Sequence, residues 1–145
     1  MKIALGSDHA GYSLKKVIAD MLRSAKYNFR DFGSFTEEPV DYPDIAHAVA
    51  EAVAKGEFDR GILICGTGIG MSMTANKVHG IRASLCADVY SARLSREHND
   101  ANVLTLGGRT MGIEIAKEIV RIWLASEFDP QSRHARRVSK IEQGD

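Results

Sequence analysis

Short apolar runs alternate along the chain with segments in which apolar residues recur every three or four positions. The short runs have the length of buried or half-buried strands. Five strands are predicted: Lys2–Leu5, Asn28–Phe32, Gly61–Cys65, Ala83–Cys86 and Val103–Leu106. The longer segments have the period of amphipathic helices, and Leu14, Ile18 and Leu22 share one such face. The predicted element order is therefore βαβαβαβαβα.

This alternation predicts an α/β fold, because parallel strands need a crossover long enough to hold a helix. We expect a Rossmann-like three-layer αβα sandwich whose five-stranded parallel sheet has the common order 2-1-3-4-5. Residues 1–145 are expected to form one domain, since about 150 residues suffice for a single core. Residues 126–145 are polar and arginine-rich and include a predicted helix near Ala135–Glu142. They are interpreted as a C-terminal helical tail that docks on a partner subunit.

Charge and composition restrict the classes of partner. The chain has 19 Lys and Arg against 19 Asp and Glu, so no overall field favours nucleic acid or an anionic membrane. No apolar run has the length of a signal-peptide core or a membrane span. Cys65 and Cys86 are too few for a disulfide framework or a zinc site. We therefore expect a cytoplasmic protein with reduced thiols that binds neither nucleic acid nor membranes.

Two unusual loops are predicted to meet at the carboxyl edge of the sheet, where doubly wound folds bind ligands. Gly6-Ser7-Asp8-His9-Ala10-Gly11 follows the first strand, and Cys65-Gly66-Thr67-Gly68-Ile69-Gly70 follows the third. The second loop leads into a predicted helix at Met71–Asn76, so its backbone N–H groups favour an anion. A simple tight turn explains the glycines equally well.

Two other glycine-loop motifs fit this segment poorly. Compared with the dinucleotide-binding fingerprint, this segment has Met71 in place of the last glycine. Asp88 does lie at the spacing of the acidic residue in that motif. A Walker-type phosphate loop lacks its lysine. The loop therefore predicts a site for negative charge, either on a bound phosphate or on a substrate atom during reaction.

Cys65 is the first candidate for catalysis, because a thiolate is favoured beside a helix N-terminus and can take up a proton. A lone cysteine is more often a small buried hydrophobe, which is the role expected for Cys86. His9 and His98 can both face the crevice as acid–base groups, although lone histidines are more often solvated or capping residues. No His, Cys and carboxylate residues have metal-ligand spacing, so no metal is expected.

Arginines and one tyrosine extend the candidate site. A basic cluster lies in the tail: Arg133, His134, Arg136 and Arg137. Guanidinium groups match phosphate oxygens, and an exposed basic helix face is the alternative interpretation. Arg109 follows the fifth strand and points from the same carboxyl edge. Tyr42, before Pro43, either lines the crevice or only packs beside a helix start.

Several dispersed segments together resemble the ribose-5-phosphate isomerase B family in order and spacing. They are Gly6–Gly11, Asp41-Tyr42-Pro43, Ile64–Gly70, Ser95–Asn102 and Arg133-His134. The similarity spans nearly the whole chain. The family also contains galactose-6-phosphate isomerase subunits and enzymes that act on allose 6-phosphate, so a six-carbon substrate is an open alternative. A non-catalytic module that binds a phosphate ligand is the alternative from another class.

The resemblance implies an aldose–ketose isomerase of the pentose phosphate pathway that interconverts ribose 5-phosphate and ribulose 5-phosphate without a cofactor. It implies a homodimer with active sites built from both subunits, and assembly into a tetramer is left open. It assigns Cys65 as the base that moves a proton between C1 and C2, His98 as the acid–base group that opens the sugar ring, and Thr67 as a proton relay. Substrate contacts are assigned to a larger set: Asp8, His9, Tyr42, Gly66, Gly68, Ile69, Gly70, Asn99, Arg109, Arg133 and Arg137.

Overall fold

The computed structural model describes residues 1–144. In chain order the elements are β1 (Lys2–Ser7), α1 (Tyr12–Ser24), β2 (Asn28–Asp31), α2 (Tyr42–Ala54), β3 (Arg60–Cys65), α3 (Ile69–Ala75), β4 (Ala83–Leu85), α4 (Val89–Glu97), β5 (Val103–Gly107), α5 (Ile113–Ala125) and α6 (His134–Glu142). The predicted alternation of strands and helices is confirmed. None of the helices among the described residues is both long and apolar enough to span a membrane.

The strands form one parallel sheet in the order β2-β1-β3-β5-β4. The predicted α/β sandwich is confirmed, but the predicted order 2-1-3-4-5 is wrong at its last two strands. All five residues of β5 are buried, as expected for an interior strand with both faces covered. β4 has three residues, none of them buried, which suits the edge of the sheet. The loop after β5 consequently lies directly beside the loop after β3.

Two hydrophobic cores separate the sheet from its helices. Ile18 of α1, Ala92 of α4 and Trp123 of α5 pack with Ile62 and Leu104 on one face. On the other face the core contains α2 and α3 side chains together with Leu63 and Cys65. The Cys65 side chain therefore points toward α3, the helix that its own loop starts.

Element boundaries differ from the prediction where they affect the candidate site. α3 begins at Ile69 rather than Met71, so Ile69 and Gly70 lie in its first turn. β4 ends one residue before Cys86, which is still buried. α6 begins at His134, within one residue of the prediction, and has no buried residue. The tail helix thus leaves most of its surface uncovered by its own chain.

Candidate active site

Three loops meet backbone to backbone at the carboxyl edge of the sheet. A Cβ atom on Gly11 would lie 2.3 Å from the carbonyl oxygen of Ile64, and one on Gly108 would lie 2.9 Å from that of Ala10. The N–H of Gly108 donates to the carbonyl of Cys65 at 2.8 Å. The loops after β1, β3 and β5 therefore form a continuous backbone floor, and larger residues at these glycines would force them apart.

Cys65 lies at the centre of this floor and is 6% exposed. The N–H of Gly68 donates to the Cys65 Sγ at 3.1 Å, which stabilises negative charge on the sulfur. Gly68 has a φ of 82°, in the left-handed region that glycine adopts without strain. The N–H of Ile69 donates to Thr67 Oγ1 at 3.2 Å. Two amides of the loop are thus engaged by the side chains of the loop itself.

The loop after β1 brings two side chains to the same edge. Asp8 is buried, and its carboxylate accepts the N–H of Gly11 at 2.9 Å. The Nδ1 of His9 accepts the N–H of Val40 at 3.2 Å. That contact assigns the neutral His9 proton to Nε2. A hydrogen-bond donor and a carboxylate therefore stand beside the Cys65 loop.

Tyr42 and Arg109 complete this group. The Tyr42 ring covers Gly70 so closely that a Cβ there would lie 2.1 Å from Tyr42 Cε1. Arg109 is exposed, its N–H donates to the carbonyl of Gly66 at 2.9 Å, and its side chain passes over that glycine. We call the residues gathered at this edge the Cys65 cluster: Asp8, His9, Tyr42, Cys65, Gly66, Thr67, Gly68, Ile69, Gly70 and Arg109.

The other predicted site residues lie at the opposite edge of the sheet. His98 follows the last turn of α4, and the chain then enters β5 at Val103, which pairs with Gly61. Cys65 lies at the other end of the same strand pair, about 13 Å away at ~3.3 Å per residue. One chain therefore does not bring His98 and Asn99 to the Cys65 cluster. Their assignment to that crevice stays a prediction that requires a second subunit.

The opposite edge carries a group that we call the histidine–arginine cluster: His98, Arg133, His134 and Arg137. The His98 and His134 rings stack with centroids 3.9 Å apart, and an Arg137 Nη1 lies 3.4 Å from His134 Nδ1. Partial burial lowers the pKa of His134, and the neighbouring charges of His98, Arg133 and Arg137 lower it further. The concentration of cationic groups suits an anion such as phosphate.

Sequence reasoning assigned no individual role to several residues that act through their backbone, although it nominated the loop that contains Gly11. Gly11, Gly107 and Gly108 make the close approaches between loops. The glycine pair directly after a buried strand is a loop signal that could have nominated the last two. Val40, which orients His9, gave no comparable signal. Among residues 1–144 no three His, Cys, Asp or Glu side chains form a metal-binding group, and the expectation of no metal stays a prediction.

Comparisons with known proteins place the chain among sugar-phosphate isomerases. A solved structure of Clostridium thermocellum ribose-5-phosphate isomerase B superimposes with a TM-score of 0.96 at 57% identity, covering 99% of this chain and 96% of that one. Ribose-5-phosphate isomerase B of Escherichia coli is 51% identical over 140 residues, covering 97% and 93%. D-erythrulose-4-phosphate isomerase of Pectobacterium atrosepticum is 47% identical over 131 residues, covering 89% and 86%. The family model described as ribose/galactose isomerase matches residues 3–141, and this chain belongs to that family.

Proposed function

We propose that this chain interconverts D-ribose 5-phosphate and D-ribulose 5-phosphate, with Cys65 as the base. The observation that carries the proposal is the buried Cys65 Sγ, 3.1 Å from the amide of Gly68, on a glycine loop that starts a helix. The similarity to ribose-5-phosphate isomerase B of two bacteria supports the choice of substrate. The reaction is internally redox neutral, so no cofactor is needed. The proposed setting is the cytoplasm, where thiols stay reduced.

The proposed chemistry is a proton transfer between adjacent carbons. The Cys65 thiolate takes the C2 proton of the open-chain aldose, the C–H electron pair forms the C1–C2 double bond, and the carbonyl electrons move to O1 to give an enediolate. Cys65 returns its proton to C1. Thr67 relays the hydroxyl proton from O2 to O1, so that O2 becomes the ketone oxygen. A positioned base of this kind contributes typically ~10²–10⁴ in rate.

Contacts within the loop limit which of its amides can stabilise the enediolate. The amides of Gly68 and Ile69 are donated to the Cys65 sulfur and to Thr67. The amides of Gly70 and Met71 lie in the first turn of α3, where no carbonyl four residues back accepts them. We therefore assign these two amides to the oxygen on which charge develops, where preorganised donors have the largest effect.

The predicted site residues at the opposite edge of the sheet would act in the active site of a second subunit. His98 opens the sugar ring, Asn99 contacts a sugar hydroxyl, and Arg133 and Arg137 hold the phosphate of a site on the partner. Asp8 and Tyr42 contact sugar hydroxyls, and His9 and Arg109 contact substrate or phosphate. The largely uncovered tail helix docks on the partner in this arrangement. A homodimer is the smallest assembly that meets these requirements, and a tetramer would retain them.

The first experiment measures isomerisation directly. The purified chain is incubated with ribose 5-phosphate without metal or nucleotide, and ribulose 5-phosphate formation is followed. Cys65→Ala should abolish turnover and C2-proton exchange with solvent while retaining substrate binding. Cys86→Ala, which removes the thiol outside the Cys65 cluster, is the matched control and should keep activity. No ketose, together with tight nucleotide binding, would instead support a non-catalytic binding module.

The second experiment tests the shared site. Differently tagged Cys65→Ala and His98→Ala chains are unfolded together and refolded, and mixed dimers are identified by co-purification. With two-fold symmetry each mixed dimer has one site with both residues intact, and random pairing gives about one quarter of parental activity. If mixed dimers form but activity stays at the level of each variant refolded alone, the two residues do not share a site.

A third experiment compares substrates of different length. It is needed because a related enzyme is named for a four-carbon substrate and the family is one of ribose and galactose isomerases. kcat/KM is measured for sugar phosphates with four, five and six carbons. The proposal predicts the highest value for ribose 5-phosphate. A higher value for another chain length would retain the isomerase chemistry and reassign the substrate.

A further inference from the structure

Lys15 is a buried cation that the proposed reaction does not use. Its side chain is 1% exposed, and its Nζ pairs with Asp31 Oδ1 at 2.8 Å and donates to the carbonyl of Ser34. The rings of Tyr12 and Phe35 lie 5.5 and 5.2 Å from the same ammonium group. Burial of a charge is unfavourable unless pairing and hydrogen bonds compensate for it. These contacts compensate for the buried charge and indicate that Lys15 has a structural role.

The structure that Lys15 holds is the segment after β2. The Asp31 Oδ1 that pairs with Lys15 also accepts the N–H of Gly33 at 2.8 Å. Gly33 and Ser34 both bond to Ser7 at the end of β1: Ser7 N–H donates to the carbonyl of Gly33 at 2.6 Å, and Ser34 N–H donates to the carbonyl of Ser7 at 2.5 Å. Ser7 directly precedes Asp8 of the Cys65 cluster. The Lys15–Asp31 pair therefore fixes this segment against the floor of the candidate site.

The same segment reaches the Cys65 cluster a second time. Residues 35–42 are all exposed, so little packing restrains the chain between its two ends. At the far end the N–H of Val40 donates to His9 Nδ1, and Tyr42 begins α2 against Gly70. Exposed segments with few buried contacts open most easily. The anchor at Ser34 is consequently important for the placement of both the His9 and the Tyr42 side chains.

We propose that Lys15 is a positioning residue for substrate: paired with Asp31, it fixes residues 33–41 and thereby the orientation of His9 and Tyr42. The inference rests on the proposed function for its kinetic consequence. Lys15 touches no reacting atom, so its loss weakens binding of the ground state and transition state together and raises KM more than it lowers kcat. Displacements of about 1 Å cost up to ~100-fold, and we expect kcat/KM to fall roughly tenfold or more.

The test compares Lys15→Met with Lys16→Met, the same substitution at the adjacent exposed lysine of α1. KM and kcat are measured with ribose 5-phosphate, and amide hydrogen exchange is measured at Ser34 and Val40. We expect Lys15→Met to raise KM and accelerate exchange at both amides while Lys16→Met matches the parent. Parental KM and parental exchange in a folded Lys15→Met protein would overturn the inference.

A second variant covers the case in which Lys15→Met does not fold. Asp31 is 31% exposed, and Asp31→Asn removes the charge pair while leaving Lys15 in place. A raised KM with faster Val40 exchange in this variant supports the inference. Parental values of both overturn it. If the pair acts as a unit, the double variant has a KM no higher than that of the worse single variant. A parent protein without isomerase activity would refute the proposed function alone, because the exchange measurements still test what Lys15 holds.

Discussion

Gly70→Ala tests how closely Tyr42 packs on the loop of Cys65. The added Cβ would lie 2.1 Å from Tyr42 Cε1 and 2.5 Å from Tyr42 Cζ. Carbon atoms at optimal contact are about 3.5–4.0 Å apart, so the ring must withdraw by roughly 1.4 Å or more. Tyr42 is 38% exposed, and its ring can move toward solvent without opening the core. The substitution therefore displaces one candidate substrate contact and leaves the N–H of residue 70 in place.

The expected effects on stability and activity differ in size. Gly70 lies within α3 without a left-handed φ, and alanine at a compatible helical position adds about 0.4–1 kcal/mol to the free energy of unfolding. Reduced packing of the Tyr42 ring offsets part of this gain, so the net change stays within about 1 kcal/mol. A ring displaced by more than 1 Å lowers kcat/KM by roughly 10- to 100-fold. Activity should fall while stability is almost unchanged.

Urea unfolding and steady-state kinetics on ribose 5-phosphate measure the two quantities separately. Tyr42→Ala and the double variant with Gly70→Ala provide the control. If the added methyl acts only by displacing the ring, the double variant has the same kcat/KM as Tyr42→Ala. Parental kcat/KM in Gly70→Ala, or a further loss in the Tyr42→Ala background, would refute this reasoning.

Three further predictions concern the glycine loop, the second thiol and the histidine–arginine cluster. Gly68→Ala places a side chain at a φ of 82° and a Cβ 2.9 Å from a backbone carbonyl carbon, so the free energy of unfolding, measured in urea, should fall by about 2–4 kcal/mol. Burial raises the pKa of the Cys86 thiol, so a folded Cys65→Ala protein at pH 8 should gain no mass from iodoacetamide until it is unfolded. Partial burial and neighbouring cations lower the pKa of His134; Arg137→Gln should raise that pKa in an NMR titration. Because the folded chain binds this proton less readily than the unfolded chain does, the His134 contribution to stability is present above its ordinary pKa and is lost as the pH falls.

The sequence was sufficient to predict the elements but not the arrangement of the last two strands. Period and run length located β1 and β3 to within two residues, because burial on one or both faces controls those patterns. Strand order depends on which strands are covered on both faces. The predicted order puts the short, partly exposed β4 in the interior, whereas β4 lies at the edge of the sheet. The adjacency of β3 and β5 is what brings Arg109 over Gly66.

The candidate site was predictable where its residues are neighbours in sequence. Cys65 and its glycines share one loop, and the Asp8–His9 loop follows the adjacent strand. His98 precedes the fifth strand and Cys65 ends the third, so a parallel sheet places them at opposite edges. Their meeting in one site across two subunits comes from the family resemblance and not from local pattern. The burial of Lys15 was also missed, because lysine is almost never fully buried without a partner and its partner is a residue of another element.

The backbone floor makes the position of the base independent of the side chains that contact the substrate. Cys65 is held by contacts between main chains, at Gly11 and Gly108, so its position does not depend on the side chains that face the substrate. Residues 35–42 are exposed, and hydrogen bonds of Ser34 and Val40 hold the two ends of this segment. Substitutions in that segment can change the placement of His9 and Tyr42 while Cys65 keeps its geometry. The contacts to the substrate can thereby vary while the position of the base is conserved by the main chain.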